Sequence, residues 1–438
     1  MKKSVFWFVI LILAASGVAR KSLAENQEVF LAASKYTVKV RSVIEYPFVS
    51  DRRGVFTGAG FIVDRKRGWI ATNAHVVGRI NKSVRVKFKD GGYRPAELIY
   101  VDTYLDFAVI SIEPKLIPST ATEASPDCET KPALGAALGA FGHPHGLDFT
   151  GTRGIVSGTK FRWSRNWIQT DAAINSGNSG GPLIEFETGR VIGINTSSYS
   201  KSKSEGISFA IPASDFCPVI DLLRDGSDPN PVVIPAAMSL NHEEEKGINI
   251  MRVYERTAVR WDLREGDQLE KLIVTDPSGK SREHVLETPA DLITGVRWVK
   301  GKSANLALSR DNKTITLPVE IKRWPSLLGQ KFVYASGATI GVYELIDDEL
   351  NNPDRLLMVH DVRESSKAAV ASLRHQDLIK SVDGQLIRTP ELLAAYLSKK
   401  KNKVVTLNVV RQWSDYRQKI SHKLIKIEIG EVKQIGRW

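Results

Sequence analysis

Both the fold and the chemistry of this chain depend on residues 170–182, which read Thr170-Asp171-Ala172-Ala173-Ile174-Asn175-Ser176-Gly177-Asn178-Ser179-Gly180-Gly181-Pro182. The core of this segment places the hydroxyl of Ser179 in a glycine-rich turn between two apolar runs. A backbone without Cβ atoms can direct its N–H groups at a bound oxygen. We interpret Ser179 as a candidate nucleophile, although Gly, Asn and Ser are also the usual residues of an ordinary turn.

Two polar residues upstream stand in settings that suit a base and an orienting acid. His75 lies among small residues at the end of a strand predicted over Trp69–Val77, and Asp106 directly precedes an apolar strand. Burial of that carboxylate is costly unless a donor such as an imidazole N–H meets it. A lone histidine in such a place is more often structural than catalytic. The order His75, Asp106, Ser179 favours a catalytic triad, with Asp102 as the rival for the acid.

Composition places the chain among ordinary globular proteins of several domains. Its 438 residues exceed the size of one core and indicate about two to four domains. Hydrophobic residues at 42% and charged residues at 25% disfavour disorder and a multi-span membrane protein. The formal net charge of +12 is spread along the chain without aromatic interleaving, so nucleic-acid binding is not expected.

Residues 1–24 are typical of a bacterial Sec-type signal peptide. A positive start is followed by the apolar run Val5–Ala15, which is too short to cross a bilayer as a helix, and by the small-x-small cleavage site Ser22–Ala24. We expect the mature protein to begin near Glu25 and to be periplasmic or secreted. An uncleaved membrane anchor is the alternative, because two basic residues lie close to the cut.

Cysteine and histidine usage leaves one question open and disfavours a metal site. Cys128 and Cys217 can pair in an oxidising compartment or remain two separate buried thiols. His143 and His145 form a His-x-His pair, but no spacing of Cys, Asp or Glu completes a metal site around them. We therefore expect neither a metal nor a cofactor.

The first two hundred residues after the signal segment are patterned as short strands. From Thr37 to Ile211, short apolar or alternating runs are broken by Gly, Pro, Asn and Asp. A helical period first appears in the segment that Ser214 opens and that continues over Pro218–Arg224. Many short strands with one terminal helix predict an all-β barrel or sandwich.

The second half repeats one module after a composition break at 226–231. Leu263–Leu269 is echoed by Leu373–Ile379, and Thr288–Leu292 is echoed by Thr389–Leu393. Each copy is predicted to run strand, short helix, strand, helix, strand, strand. The spacing predicts two modules of about 90–110 residues each.

Together these motifs resemble the HtrA (Deg) family of secreted trypsin-like serine proteases. The motifs that carry the resemblance follow the family's order and are Thr72-Asn73-Ala74-His75-Val76-Val77, Asp106-Phe107-Ala108-Val109-Ile110, Asp171 to Pro182, and Gly206-Ile207-Ser208-Phe209-Ala210-Ile211-Pro212. The resemblance implies a mainly β fold, with a chymotrypsin-like double β-barrel protease domain followed by two PDZ-like α+β modules. The expected domains are a protease domain, a linker, PDZ-like domain 1 and PDZ-like domain 2 over 25–225, 226–231, 232–325 and 326–438.

The resemblance also implies a role for each candidate catalytic residue. Ser179 attacks the peptide carbonyl, His75 transfers the proton to the leaving amine, and Asp106 holds the imidazole tautomer. The N–H groups of Gly177 and Ser179 form the oxyanion hole. Activity is expected to fall on acidification through roughly pH 6–7, because His75 must be neutral to accept a proton.

The specificity pocket and two departures from the family pattern concern the same region. Trypsin-like enzymes that cleave after Lys or Arg carry an acid six residues before the nucleophile, but this chain has Ala173 there. Together with Ile174 and Ile194, the alanine at position 173 predicts an apolar specificity pocket that accepts small or medium aliphatic side chains. Ser176 replaces the family's usual proline, which can loosen the oxyanion turn, and His143 stands where asparagine is common. The segment before the first motif is also too short for the long regulatory loop of some relatives.

The partners implied by the resemblance are unfolded or misfolded proteins and C-terminal peptides. Thr339, Ile340, Gly341 and Val342 resemble the loop with which PDZ domains receive a C-terminal carboxylate beside an open strand edge. No comparable glycine loop occurs in 232–240, so the match of the second module is the stronger one, and whether the first module binds peptide is left open. A homo-oligomer of at least three copies is also implied. The alternative function is a chaperone or PDZ scaffold with a weakly active or inactive protease domain.

Overall fold

The computed structural model describes residues 27–48, 51–80, 83–162, 165–198, 206–240, 247–254, 259–275, 279–301, 303–343, 356–412 and 420–436. Two closed six-stranded barrels and two further antiparallel sheets lie in these ranges. The expected signal peptide lies outside the described residues. Among the helices within them, none is long and apolar enough to cross a membrane.

The first barrel follows a helix over residues 27–36, α1. Its strands join in the order β1-β2-β3-β6-β5-β4 and are β1 (Thr37–Ile44), β2 (Gly54–Asp64), β3 (Trp69–Asn73), β4 (Val84–Lys87), β5 (Arg94–Asp102) and β6 (Phe107–Ser111). On β1, buried Val38 and Val40 alternate with Lys39 and exposed Arg41. This period of two places one face of the strand on the barrel core.

The second barrel is closed in the order β10-β11-β12-β9-β8-β7. Its strands are β7 (Ala137–Gly142), β8 (Thr150–Arg162), β9 (Arg165–Thr170), β10 (Pro182–Glu185), β11 (Val191–Ser198) and β12 (Ser208–Pro212), and the helix α3 (Ala213–Arg224) follows. Phe216 of α3 stacks on Phe107 of the first barrel, with ring centroids 5.5 Å apart. The predicted terminal helix therefore closes the core between the two barrels.

The segment that connects the barrels is tied to α3 by a disulfide between Cys128 and Cys217. The same segment forms a parallel bridge between Pro126 and Val191 of β11. The structure thus selects the paired state of the two cysteines over the two separate thiols.

Two C-terminal modules follow. The first C-terminal module, residues 236–320, contains β13 (Ala236–Leu240), β14 (Ile248–Val253), β15 (Gln268–Thr275), β16 (Ser281–Val285), α4 (Pro289–Gly295), β17 (Ser303–Arg310) and β18 (Lys313–Glu320). The second C-terminal module, residues 331–436, contains β19 (Lys331–Ala335), β20 (Ala338–Tyr343), β21 (Leu356–Val362), α5 (Lys367–Val370), β22 (Leu378–Val382), α6 (Pro390–Ser398), β23 (Val404–Gln412), β24 (Ile420–Glu428) and β25 (Val432–Gly436).

The internal repeat in the sequence corresponds to a repeated ion pair. Asp267 pairs with Arg310 at 2.8 Å in the first module, and Asp377 pairs with Arg411 at 2.6 Å in the second. Each carboxylate also accepts the main-chain N–H of the residue three positions before it, at 2.8 Å. In both modules the longest helix begins at a proline that follows a threonine N-cap. The echoed motifs therefore mark equivalent structural positions.

The structure corrects the prediction of a carboxylate-binding loop at Thr339, Ile340, Gly341 and Val342. These residues lie inside β20, which pairs with β19 on one side and with β21 on the other. Ser336 and Gly337 both have positive φ and form the two-residue turn of a β19–β20 hairpin. Helix α6 packs over β19, so the place of an added peptide strand is taken by the chain's own β19.

The first module differs because its β13 lies at the edge of the sheet and pairs with β14 alone among the described strands. Helix α4 packs beside β13 and against β9 of the second barrel. Asn166 of β9 donates to Asp291 of α4 at 3.0 Å, and Thr294 donates to Asp215 of α3 at 3.4 Å. The open strand edge therefore belongs to the module that docks on the second barrel.

Candidate active site

His75 lies on a single helical turn, α2 (Ala74–Val77), directly after β3. The predicted strand over Trp69–Val77 therefore ends early, at Asn73. The main-chain carbonyl of Asp106 accepts hydrogen bonds from the Asn73 side chain and the Ala74 N–H, both at 3.0 Å. These two bonds hold the start of the helical turn against the loop that carries Asp106.

The imidazole of His75 and the carboxylate of Asp106 form a close pair. The distance between His75 Nδ1 and Asp106 Oδ2 is 2.7 Å, and the His75 N–H donates to Asp106 Oδ1 at 2.9 Å. Asp106 has φ of 55°, a left-handed conformation that aspartate tolerates. Because an ionised carboxylate only accepts, Nδ1 carries the proton and Nε2 is left as an acceptor.

Electrostatics set this pair in the state that a general base needs. Burial lowers the pKa of His75, but the Asp106 carboxylate outweighs burial and the pKa is raised overall. Burial raises the pKa of Asp106, but attraction to His75 and hydrogen bonds from it outweigh burial and the pKa is lowered overall. The carboxylate is therefore ionised at neutral pH and increases the basicity of the imidazole.

Ser179 lies across the cleft in the turn that sequence analysis singled out. Its carbonyl accepts the N–H of Ala59 at 2.8 Å, which anchors the turn to β2 of the first barrel. Its hydroxyl donates to the main-chain carbonyl of Thr196 at 2.9 Å. Within the part of the chain that the structure describes, no hydrogen bond joins Ser179 to His75. The Ser179 hydroxyl is therefore held by Thr196 and not by the imidazole.

Two main-chain N–H groups beside Ser179 are free to bind an oxyanion. The N–H groups of Gly177 and Ser179 have no hydrogen-bond acceptor among the described residues. Gly177 has φ of 105°, and a Cβ there would lie 2.1 Å from the carbonyl oxygen of His143. His143 donates its N–H to the Gly177 carbonyl at 3.1 Å. This bond ties the turn to the loop of His143, and Ser176, which stands where the family usually has proline, is exposed.

His143 has a structural setting. Its Nδ1 accepts the N–H of Phe149 at 3.0 Å, and burial lowers its pKa to about 4. The same loop is tied to the first barrel by Asp148, which pairs with Lys39 at 2.7 Å and Lys87 at 2.8 Å. In the described ranges, no group of three or more His, Cys, Asp or Glu residues is arranged to hold a metal ion.

The three expected pocket residues occupy different places. Ala173 is exposed beside the turn, and its carbonyl accepts the hydroxyl of Thr152 at 3.0 Å. Ile174 is buried in the core of the second barrel. Ile194 is 0% exposed in the core between the barrels, on the face of β11 that packs against the first barrel and α3. The prediction that Ile194 lines the pocket was wrong, since a core side chain cannot contact substrate.

Asp102, the alternative candidate for the catalytic acid, pairs with a residue other than His75. It pairs with Arg297 of the first module at 2.5 Å, and both side chains are 0% exposed. The acid beside His75 is therefore Asp106. Thr196 was missed by sequence analysis, although its Oγ1 donates to Asp106 Oδ2 at 3.1 Å and its carbonyl holds Ser179. No local pattern marks Thr196, because its position depends on how β11 crosses the cleft.

Comparisons with known proteins agree with this geometry. Residues 58–194 match the family described as trypsin-like peptidase domain. A relative from Brucella suis biovar 1, described as "Probable periplasmic serine endoprotease DegP-like", is 32% identical over 364 residues, which cover 78% of this chain and 68% of the relative. The chain belongs to the DegP-like, HtrA-type family of serine endoproteases.

Further comparisons extend over most of this HtrA-family protein. A DegP-like relative from Halomonas elongata is 30% identical over 383 residues, which cover 82% of this chain and 77% of the relative. A solved structure of the HtrA-type protease AlgW with tripeptide has a TM-score of 0.52 and 25% identity, and covers 68% of this chain and 97% of AlgW. The HtrA-family protein is thus a serine endopeptidase with a double-barrel protease fold.

Proposed function

We propose that His75, Asp106 and Ser179 form the catalytic triad of this endopeptidase. Ser179 Oγ attacks the scissile carbonyl, His75 Nε2 accepts its proton and later protonates the leaving amine, and Asp106 stabilises the imidazolium. The observation that carries the proposal is that Thr196 hydrogen-bonds both to Ser179 and to the Asp106 carboxylate that pairs with His75, while two N–H groups of the serine turn are unengaged. These N–H groups, of Gly177 and Ser179, bind the oxyanion of the tetrahedral intermediate.

The resting position of the Ser179 hydroxyl adds one step to this mechanism. Its hydrogen bond to the Thr196 carbonyl must break before the hydroxyl can donate to His75. Rotation about one side-chain bond is a fast motion among staggered rotamers. Substrate that occupies the cleft would favour the paired rotamer, since catalytic hydrogen bonds often tighten only in the substrate complex.

The substrates we propose are unfolded protein segments with small or medium aliphatic residues before the cut. No acid stands at position 173, and Ala173 is the exposed member of the expected pocket residues. Ile174 supports Ala173 from the core of the second barrel. An unfolded segment is needed because the cleft must receive an extended chain.

We also propose that the two C-terminal modules are PDZ-like, over 232–325 and 326–438, after a protease domain over 25–225 and a linker over 226–231. Peptide binding is assigned to the first module, where β13 is an edge strand beside α4. A peptide that adds as a strand needs such an edge. In the second module the corresponding space holds β19.

The proposed compartment is the periplasm, which the names of the relatives support. The expected signal peptide over 1–24 and the disulfide agree with export to an oxidising compartment. We propose a homo-oligomer of at least three copies, which light scattering of the purified protein tests directly. A monomer at micromolar concentration would contradict that part of the proposal.

A cleavage-site profile on an unfolded protein tests the triad and the pocket together. The native chain and Ser179→Ala are compared, and both are treated with a fluorophosphonate probe. Native protein is expected to be labelled at Ser179 and to cut after small aliphatic residues, while Ser179→Ala does neither. Labelling at another residue, or unchanged cleavage by Ser179→Ala, would refute the assignment.

The peptide-binding edge is tested with a fluorescent apolar C-terminal peptide and the full Ser179→Ala chain. Met238→Glu places a charge on β13 and is expected to abolish binding. The matched control is Met251→Glu on the neighbouring β14, where the methionine is exposed. Binding that survives Met238→Glu would place the peptide elsewhere.

A further inference from the structure

A buried ion pair lies behind the helical turn that carries His75. Arg79 follows α2 by two residues, and its guanidinium pairs with the carboxylate of Asp51 in the loop after β1. The Arg79 and Asp51 side chains are 6% and 0% exposed. Asp51 Oδ2 also accepts the main-chain N–H of Arg79 at 2.9 Å. One carboxylate therefore holds both the backbone and the side chain at the end of α2.

The helical turn depends on such external support. It has four residues, no side-chain hydrogen bond at its N-cap, and one closing bond from the Gly78 N–H to the Ala74 carbonyl at 2.8 Å. So short a helix has no stability of its own. Its beginning is held by the loop of Asp106, its middle by the Ser42 hydroxyl, which donates to the Val76 carbonyl at 2.5 Å, and its end by Asp51. These attachments together fix the backbone from which the His75 side chain projects.

Phe48, which is hydrogen-bonded to Asp51, packs against the second module. The Asp51 N–H donates to the Phe48 carbonyl at 3.1 Å, and Asp51 Oδ2 accepts the Phe48 N–H at 3.4 Å. The Phe48 ring lies 4.3 Å from the ring of His360 and 5.0 Å from that of Phe332, centroid to centroid. Ile80, the residue after Arg79, packs against the same cluster.

Stability alone does not account for this pair. Burial of two charges costs free energy that their attraction often fails to recover, and apolar replacements of similar volume are frequently neutral or stabilising. The charges do act on the active site. In addition to Asp106, Arg79 lowers the pKa of His75 and Asp51 raises it through their charges.

We propose that Arg79 and Asp51 are positioning residues that fix α2 and thereby orient the His75 imidazole for proton transfer. The proposal rests on the assignment of His75 as the general base. It adds a support behind the base that neither the triad motif nor the oxyanion turn contains.

The test compares Asp51→Asn and Arg79→Met in the full chain through the pH dependence of kcat/KM for an unfolded substrate. Both variants break the same pair, and both are expected to lower kcat by about tenfold with KM little changed. The acidic limb is the part of the pH profile where kcat/KM falls on acidification. Asp51→Asn should move this limb to lower pH, and Arg79→Met should move it to higher pH. Limbs that stay in place, or that move in the same direction, would overturn the proposal.

A double variant distinguishes loss of the positioning role from misfolding, because each single change leaves a buried charge unpaired. Asp51→Asn with Arg79→Met leaves none, and its kcat is still expected to be about tenfold low. Wild-type kcat in a folded double variant would refute the positioning role. Asp377→Asn, which breaks the similar buried pair in the second module, is the control that should leave the acidic limb unchanged. Full activity of Ser179→Ala would instead refute the triad.

Discussion

The hydroxyl of Ser179 donates to the main-chain carbonyl of Thr196 at 2.9 Å, while the side chain of the same threonine donates to Asp106 at 3.1 Å. One residue of β11 thus contacts both the nucleophile and the acid. It holds the serine away from His75 and at the same time stabilises the carboxylate that orients His75. Thr196 therefore links the resting position of the Ser179 hydroxyl to the orientation of His75 by Asp106.

Thr196→Val removes the hydroxyl and keeps the carbonyl that holds Ser179. A hydrogen bond to a charged group contributes about 1.5–3 kcal/mol, so kcat is expected to fall by about tenfold or more. Steady-state cleavage of an unfolded substrate measures this loss. Thr316→Val on exposed β18 is the control and should leave kcat unchanged. If the two variants behave alike, the Thr196 hydroxyl has no part in catalysis.

The two candidate acids are separated by their effects on pH dependence. Because Asp106 raises the pKa of His75, Asp106→Asn should move the acidic limb of kcat/KM to lower pH and reduce kcat by about 10⁴-fold. Asp102→Asn leaves buried Arg297 unpaired and should lower stability by about 3–5 kcal/mol without moving the limb. The pH profile of kcat/KM gives the position of the acidic limb, and a thermal melt of each variant gives its loss of stability. A limb that moves in Asp102→Asn would contradict this assignment.

Asp215 makes the contact between α3 and the first module pH-dependent. Burial and the nearby Asp291 carboxylate raise the pKa of Asp215 to about 7. An unfolded aspartate has a pKa of about 3.9, so the folded state binds more protons between these values. Stability is therefore lost as pH rises towards 7. Asp215→Asn should raise the melting temperature at pH 8 and leave it nearly unchanged at pH 4.

A control for Asp215→Asn lies on the same helix. Asp221 is half-buried and pairs with Arg224 at 3.3 Å. Asp221→Asn should not stabilise the protein at either pH. A gain at pH 8 in both variants would show a general charge effect rather than the release of a buried carboxyl.

The disulfide between Cys128 and Cys217 encloses a sequence separation of 89 residues. Closure of a loop of this length stabilises the folded state by about 4.6 kcal/mol in the chain-entropy model. Replacement of both cysteines by alanine is expected to lower the melting temperature by roughly 9–18 °C. Calorimetry of the double variant, with the reduced wild type alongside, measures the change. Identical melting of oxidised and reduced wild type would show that the bond does not stabilise this protein.

Sequence reasoning is strongest where the pattern is local. The short apolar runs and the helix after residue 212 predict an all-β barrel or sandwich, and the resemblance to the HtrA family implies the double barrel, which is confirmed. Sequence reasoning erred where side-chain direction depends on distant strands. The apolar character of Ile194 and its place near the site predict a pocket residue, but its side chain lies in the core between the barrels.

The second module shows the same limit. Thr339-Ile340-Gly341-Val342 has the composition of a carboxylate-binding loop, whereas Ser336-Gly337 is a common hairpin turn between apolar runs. The hairpin brings β19 onto β20 and fills the edge that a peptide would use. The available edge lies instead in the first module, whose sequence has no convincing glycine loop.

The amino-acid sequence by itself determined the order His75, Asp106, Ser179, the glycine-rich segment around Ser179, and the repeat of two modules. Each of these depends on residue type and near neighbours. Tertiary structure alone decided that Ser179 rests on Thr196, that Asp102 pairs with Arg297, and that Asp51 supports the helix of His75. These contacts join segments far apart in the chain, and only packing of the barrels and modules brings them within hydrogen-bond distance.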